Sequence, residues 1–209
     1  FSIVSYTGTG SAGTVGHGLS SAPSMVITKN RSATGQWVTQ HTSLSGGTYW
    51  LLLNSTSAET NDSTVVPASP TSSVFSIGTD GNINTSGNNY IAYCWSETTG
   101  YSKFGSYTGN GSTSGPTVTC GFKPAMIILK RTDSGGSWTI SDNTRDTVNP
   151  VTPYLFPHAS DAEATDSSNE IDFNSNGFQI KHDTRNNTSG ATYIYAAFAD
   201  TREAAFWLD

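Results

Sequence analysis

Gly8-Thr9-Gly10-Ser11-Ala12-Gly13 has the spacing of a dinucleotide-binding loop, in which glycines let backbone amides approach a pyrophosphate. That chemistry needs a helix opening at the third glycine and an acidic residue about 20 positions further on. Thr14-Val15-Gly16-His17-Gly18 follows instead, a poor helix sequence with no such acid behind it. The segment therefore reads as a glycine-bearing β-turn or bulge. The four histidines, His17, His41, His158 and His182, stand at no metal-ligand spacing from one another or from a cysteine. No G-x-S-x-G elbow is present, so a Ser-His-Asp site would have to assemble from dispersed positions. A glycosidase needs two carboxylates across a sugar. Glu59, Glu163 and Glu170 lie in or beside polar loop regions, while Glu97 and Glu203 flank joints between strands. Asp161, Glu163, Asp166, Glu170 and Asp172 offer oxygens to a calcium ion but lack the ligand-and-glycine rhythm of a calcium loop, and they read as a solvated acidic loop. No catalytic, cofactor-binding or metal-ligating residue is assigned from these patterns. No cofactor is expected, the chain is not expected to be an enzyme, and the residues of any ligand site stay unassigned.

The elements around these residues come in two sets. Tyr6-Thr7-Gly8-Thr9-Gly10 returns as Tyr107-Thr108-Gly109-Asn110-Gly111. Pro23-Ser24-Met25-Val26-Ile27 returns as Pro124-Ala125-Met126-Ile127-Ile128, with Lys29 and Lys130 in register, and Trp37 answers Trp138. Phe75-Ser76-Ile77 answers Phe178-Gln179-Ile180, Asn84-Thr85-Ser86-Gly87 answers Asn187-Thr188-Ser189-Gly190, and Tyr90-Ile91 answers Tyr193-Ile194. A period of about 100 residues is a domain size, far longer than a solenoid repeat. What recurs is apolar strand-like segments and turn residues, with no shared reactive set.

Short apolar runs bounded by Gly, Asn, Ser and Pro predict strands. In the first half these are 1–6, 24–29, 36–41, 48–54, 73–77 and 89–96. In the second half they are 103–107, 117–120, 125–131, 137–141, 170–173, 177–181 and 191–199. No segment carries a helical stripe, and Asp161–Asn169 reads as a loop. Met25, Ile27 and Lys29 alternate with Val26 and Thr28, predicting one apolar and one mixed face. Tyr90-Ile91-Ala92-Tyr93-Cys94-Trp95 is apolar throughout and predicts a central strand covered on both faces. The expected architecture is all-β: two tandem, structurally similar antiparallel β-sandwich repeats over residues 1–100 and 101–209, joined near Glu97–Ser102. Thr56–Pro70 and Asp142–Asp166 are the long variable stretches. Equivalent positions for Trp37 and Trp138 predict core roles, and Trp50 and Trp95, in apolar runs, are expected to be buried too. Cys94 and Cys120 are expected to be buried free thiols, with a single disulfide as the alternative.

Charged residues make up 12% of the chain, against a usual share of about 25%, while aromatics at 11% supply material for a core. The net charge is −6 and the ten Lys and Arg are scattered, which argues against a nucleic-acid groove. No apolar stretch approaches the roughly 20 residues of a membrane span, so no membrane insertion is expected. The chain opens on Phe1 and ends in Phe206-Trp207-Leu208, which reads as the start of a further strand of a longer polypeptide.

The run Tyr90-Ile91-Ala92-Tyr93-Cys94-Trp95-Ser96-Glu97, followed by Gly100-Tyr101-Ser102-Lys103-Phe104-Gly105-Ser106-Tyr107, resembles a duplicated β-domain family of marine and cyanobacterial bacteriophage virion and tail-fibre proteins. Gly16-His17-Gly18-Leu19, Leu51-Leu52-Leu53-Asn54, Phe122-Lys123-Pro124-Ala125 and Tyr193-Ile194-Tyr195-Ala196-Ala197-Phe198 carry the same likeness. The resemblance implies a non-enzymatic structural module of a tail fibre, appendage or capsid surface, exposed on the virion. Its expected partners are other virion proteins, copies of itself as a homotrimer, and a host-surface glycan or protein. It brings no catalytic residues with it. The alternatives are a secreted carbohydrate-binding, lectin-like module and a hydrolase with dispersed residues.

Overall fold

The computed structural model describes residues 1–199; Glu203 and the strand expected at Phe206-Trp207-Leu208 lie outside the described residues. The chain is mostly β, with 42% strand against 4% helix, and every paired strand runs antiparallel to its neighbour. It divides into two compact units, Phe1–Glu97 and a second that begins at Thr98.

The first unit contains β1 (Ser2–Thr7), β2 (Gly13–Gly16), β3 (Met25–Asn30), β4 (Trp37–His41), β5 (Tyr49–Leu52), β6 (Thr60–Asn61), β7 (Val74–Ile77), a single helical turn α1 (Gly81–Asn84) and β8 (Asn89–Trp95). Its large sheet has the order β1-β8-β3-β4-β5-β6, and β2 pairs with β7 in a second sheet. The core forms where the two sheets meet. Val26, Val38, Ala92 and Cys94 come from the large sheet, Phe75 and Ile77 from the small one, and Ile83 from α1. Full burial of each such large apolar side chain contributes about 1.5–3 kcal/mol. The second unit contains β9 (Ser102–Thr108), β10 (Thr117–Thr119), β11 (Pro124–Arg131), β12 (Thr139–Asp142), β13 (Pro153–Tyr154), β14 (Ala164–Thr165), β15 (Ile171–Asn174), β16 (Gly177–Ile180) and β17 (Thr192–Ala199). Its large sheet has the order β12-β11-β17-β9, its second sheet is β10-β16-β15, and β13 and β14 form a small hairpin. Read from the other edge, β9-β17-β11-β12 follows the sequence order of β1-β8-β3-β4. Ile127, Leu129, Tyr193, Tyr195 and Ala197 face Phe173, Phe178 and Ile180 across this second core.

The segments that recur in the sequence build the same buried polar knot in each unit. On β1 and β8, Tyr6 stacks on Tyr90 with ring centroids 5.1 Å apart and an interplanar angle of 11°; on β9 and β17, Tyr107 stacks on Tyr193 at 5.2 Å and 11°. The Tyr6 hydroxyl donates to the Ile83 carbonyl at 2.7 Å, and the Tyr107 hydroxyl to the Asn186 carbonyl at 2.8 Å. Asn84 is fully buried. Its Nδ2 donates to the carbonyls of Gly78 (2.6 Å) and Ser11 (2.7 Å), and its Oδ1 accepts from the Thr9 amide at 2.8 Å. Asn187, also fully buried, donates to the carbonyls of His182 and Ser112, each at 2.8 Å, and accepts from the Asn110 amide at 2.8 Å. A neutral amide with both ends satisfied can be buried without the cost of a bare polar group. The glycines beside it are dictated by clearance: a Cβ on Gly8 would run into the Thr85 carbonyl oxygen, and one on Gly109 into that of Thr188.

Several expectations are corrected. β8 is central, between β1 and β3, but Tyr90, Ala92 and Cys94 are fully buried while Ile91, Tyr93 and Trp95 are only half-buried, so it is not covered equally on both faces. β17 is the strand with an almost unbroken buried run. Both faces of β3 are covered, from Met25 through Thr28, and it is Val26 that enters the core cluster. Trp138 is buried at 2% exposure, but Trp37, Trp50 and Trp95 are half-buried, and Trp95 packs on the exposed Phe1 ring at 4.9 Å. Gly13–Gly16, absent from the predicted strands, is a strand, because β7 supplies a ladder that propensity does not foresee. The segment 161–169, predicted as loop, carries β14 and a 3₁₀ turn at Ser167–Asn169. The expectation that both cysteines are buried free thiols holds.

Candidate functional site

The residues with the most reactive side chains serve the backbone. His17 Nδ1 accepts from the Leu19 amide at 3.1 Å, and its Nε2 lies 3.0 Å from the Thr71 carbonyl. His41 Nδ1 accepts from the Ser43 amide at 3.1 Å, and His182 Nδ1 from the Thr184 amide at 3.3 Å. Three histidines thus close a turn two residues ahead, as Asn and Asp do in Asx-turns. His182 is 2% exposed and its Nε2 finds no partner, so burial, followed by the nearby Arg185 charge, pushes its pKa down to about 4. Burial and Lys130 hold His158 below the ordinary imidazole range as well. Lys130 is fully buried and burial pushes its pKa down to about 8, the kind of shift that can arm a lysine. Its Nζ donates to the carbonyl of the next residue, Arg131, and Lys29 does the same to Asn30 at 3.1 Å. The contact belongs to the framework, since it recurs at the equivalent strand position.

The acidic residues of the second unit are held by different partners. Glu163 pairs with Arg145 at 2.9 Å, and Asp172 lies 3.8 Å from Lys181 Nζ. Asp166 accepts from the Tyr154 hydroxyl at 2.7 Å and caps the 3₁₀ turn through the Ser168 amide at 2.8 Å. Arg185 lies over the Tyr154 ring, 4.6 Å from its centroid, and bonds the Ser168 hydroxyl at 3.2 Å. Among the described residues no group of three or more His, Cys, Asp or Glu is placed to hold a metal ion.

The candidate site is a small hollow in the first unit, open to solvent and with room for about one water molecule, where β3 begins and β4 ends. Register sets its floor: Val26 pairs with Gln40 and Met25 with His41. Tyr49, Gly46 and Gly47 form one wall, with Pro23, Ser69 and Pro70 around them. A Cβ on Gly47 would come within 2.6 Å of the Ser69 hydroxyl, so a glycine there keeps the wall thin. The lining carries no Asp, Glu, Lys or Arg. Gln40 is 7% exposed and its Oε1 has no hydrogen-bond partner. A buried amide oxygen without a donor costs about 1–3 kcal/mol. In the second unit the equivalent positions have side-chain partners. Ile127 pairs with Ser141, whose hydroxyl accepts from Asn169 Nδ2 at 2.9 Å. Met126 pairs with Asp142, which holds Arg145 at 2.7 Å. No motif in the sequence points to the hollow, because its walls come from four separate segments.

No curated protein and no solved structure matches the chain. A family model described as Domain of unknown function (DUF7483) matches residues 1–202, and the chain belongs to that family.

Proposed function

We propose that this chain is a non-enzymatic structural module of a bacteriophage particle, carried on a tail fibre, an appendage or the capsid surface, with a part in contact with the host. We read its two units as copies of one framework. The observation that carries this reading is the tyrosine–asparagine knot, built twice from uncharged side chains with the same stacking angle and the same hydrogen bonds. Each unit is held by its own copy of the knot, and His17, His41, His182 and Lys130 are engaged in holding backbone. The likeness of Tyr90–Glu97 and Gly100–Tyr107 to phage virion domains supplies the setting. In that setting its partners are other virion proteins and two further copies of itself. Gold-labelled antibody against the chain, applied to purified particles from a lysate, tests the proposal. Label on the particle surface, with the chain found in the particles by mass spectrometry, is the expected result. Recovery only from the soluble fraction would refute it.

A further inference from the structure

We propose that His182 is an acid-sensitive latch: when its ring takes a second proton, the segment 154–169 comes away from the second unit while the large sheet there stays formed. The turn after β16 is built on this ring. His182 Nδ1 accepts from the Thr184 amide at 3.3 Å, so the neutral imidazole carries its one proton on Nε2. The ring is 2% exposed, and Nε2 has no partner. A second proton must therefore go to Nδ1. It turns the acceptor into a donor facing another donor, and the turn loses the bond that closes it. Arg185 and Asn186, which follow directly, hold the segment. Arg185 lies over the Tyr154 ring at 4.6 Å and the Phe156 ring at 5.3 Å, and its Nε and Nη2 donate to the Ser168 hydroxyl at 3.3 and 3.2 Å. Asn186 Nδ2 donates to Asn169 Oδ1 at 3.1 Å. Both ends of the segment thus depend on the turn that His182 closes. The first unit closes its equivalent turn with the Asp80 carboxylate, which accepts from the Asn82 amide at 2.8 Å, and Asn82 stands where Arg185 does.

Burial, followed by the Arg185 charge, opposes the second proton and brings the folded pKa down to about 4, while Asp183 and Asp166 favour it. Asp166 is already engaged by the Tyr154 hydroxyl at 2.7 Å and the Ser168 amide at 2.8 Å. Lys181, the residue before His182, lies 3.8 Å from Asp172. In the open form the ring regains water and an ordinary value near 6.5. Falling pH therefore favours opening, and the opening constant rises about twentyfold from pH 7 to pH 5. Amide hydrogen exchange of the whole chain, read by mass spectrometry at both pH values and divided by the intrinsic rates, tests the latch. Exchange across 154–169 should rise by that factor while β11 and β17 keep their protection. His182→Asn, whose side-chain oxygen can still accept from the Thr184 amide, should abolish the rise. Arg185→Met keeps His182 and should free the segment already at pH 7, and it serves if His182→Asn does not fold. His158 is the imidazole within the segment, its ring 5.3 Å from Phe156, and His158→Gln should leave the rise in place. Any of five results overturns the proposal: no rise at pH 5, a rise shared equally by β11 and β17, a rise that persists in His182→Asn, a rise lost in His158→Gln, or unchanged exchange of the segment at pH 7 in Arg185→Met.

Discussion

At the scale of single residues, His182 couples stability to pH. An imidazole in the unfolded chain titrates near 6.5, whereas the folded value is about 4. As pH falls the unfolded state takes its proton first. Stability is therefore complete above about 6.5 and is lost between there and 4, by roughly 2 kcal/mol at pH 5. Urea unfolding of the wild type against His182→Asn checks this. The asparagine can still close the turn to the Thr184 amide but cannot titrate, so its stability should fall less from pH 7 to pH 5. Equal pH slopes for the two proteins would remove the assignment. Glycine offers a second residue-level contrast. Gly8→Ala forces a Cβ into the Thr85 carbonyl and should cost more than about 3 kcal/mol or prevent folding. Gly18→Ala sits at φ +69° with nothing within 4 Å, so it should cost only about 1–2 kcal/mol of backbone strain. Thermal melts of both variants give the comparison. The knot residues were legible in the sequence because Tyr, Asn and Gly recur there in register. Gln40 was not legible, because what singles it out is a missing partner, and that depends on which side chains fold around it.

At the scale of elements, Arg145 ties the end of β12 to the segment that leads to β14. Its guanidinium reaches Asp142 at 2.7 Å, Glu163 at 2.9 Å and the Ile140 carbonyl at 3.0 Å. Burial pushes Asp142 up, but the Arg145 amide and guanidinium outweigh it and hold the carboxyl below its usual range. Arg145→Met should cost about 2 kcal/mol by leaving a half-buried carboxylate unpaired. Glu163→Gln, at a more exposed rim, should cost under about 1 kcal/mol and lose even that at about 1 M salt, where the screening length is near 3 Å. Denaturant unfolding in low and high salt separates the two. The same stretch marks where sequence reading stops. Apolar runs such as those in Met25–Asn30 and Pro124–Arg131 announce strands through their own side chains. Two-residue strands such as β13 and β14 carry no period, and they exist because tertiary contacts bring them together.

At the scale of the whole molecule, the second unit extends its small sheet with β15, whereas the first extends its large sheet with β5 and β6. What the units share is the four-strand order and the knot that joins its outer pair. The antiparallel β class was legible because Thr, Val, Ile and Tyr runs end in turn residues throughout. The hollow was not, since its lining comes from four segments distant in sequence. The central claim is that one buried asparagine knot secures each unit. Hydrogen exchange of the Asn84 and Asn187 side-chain amides, followed by ¹⁵N NMR, tests it most directly. The account predicts that both NH₂ groups exchange far more slowly than those of exposed asparagines such as Asn176. Surface-like exchange at either residue would contradict it.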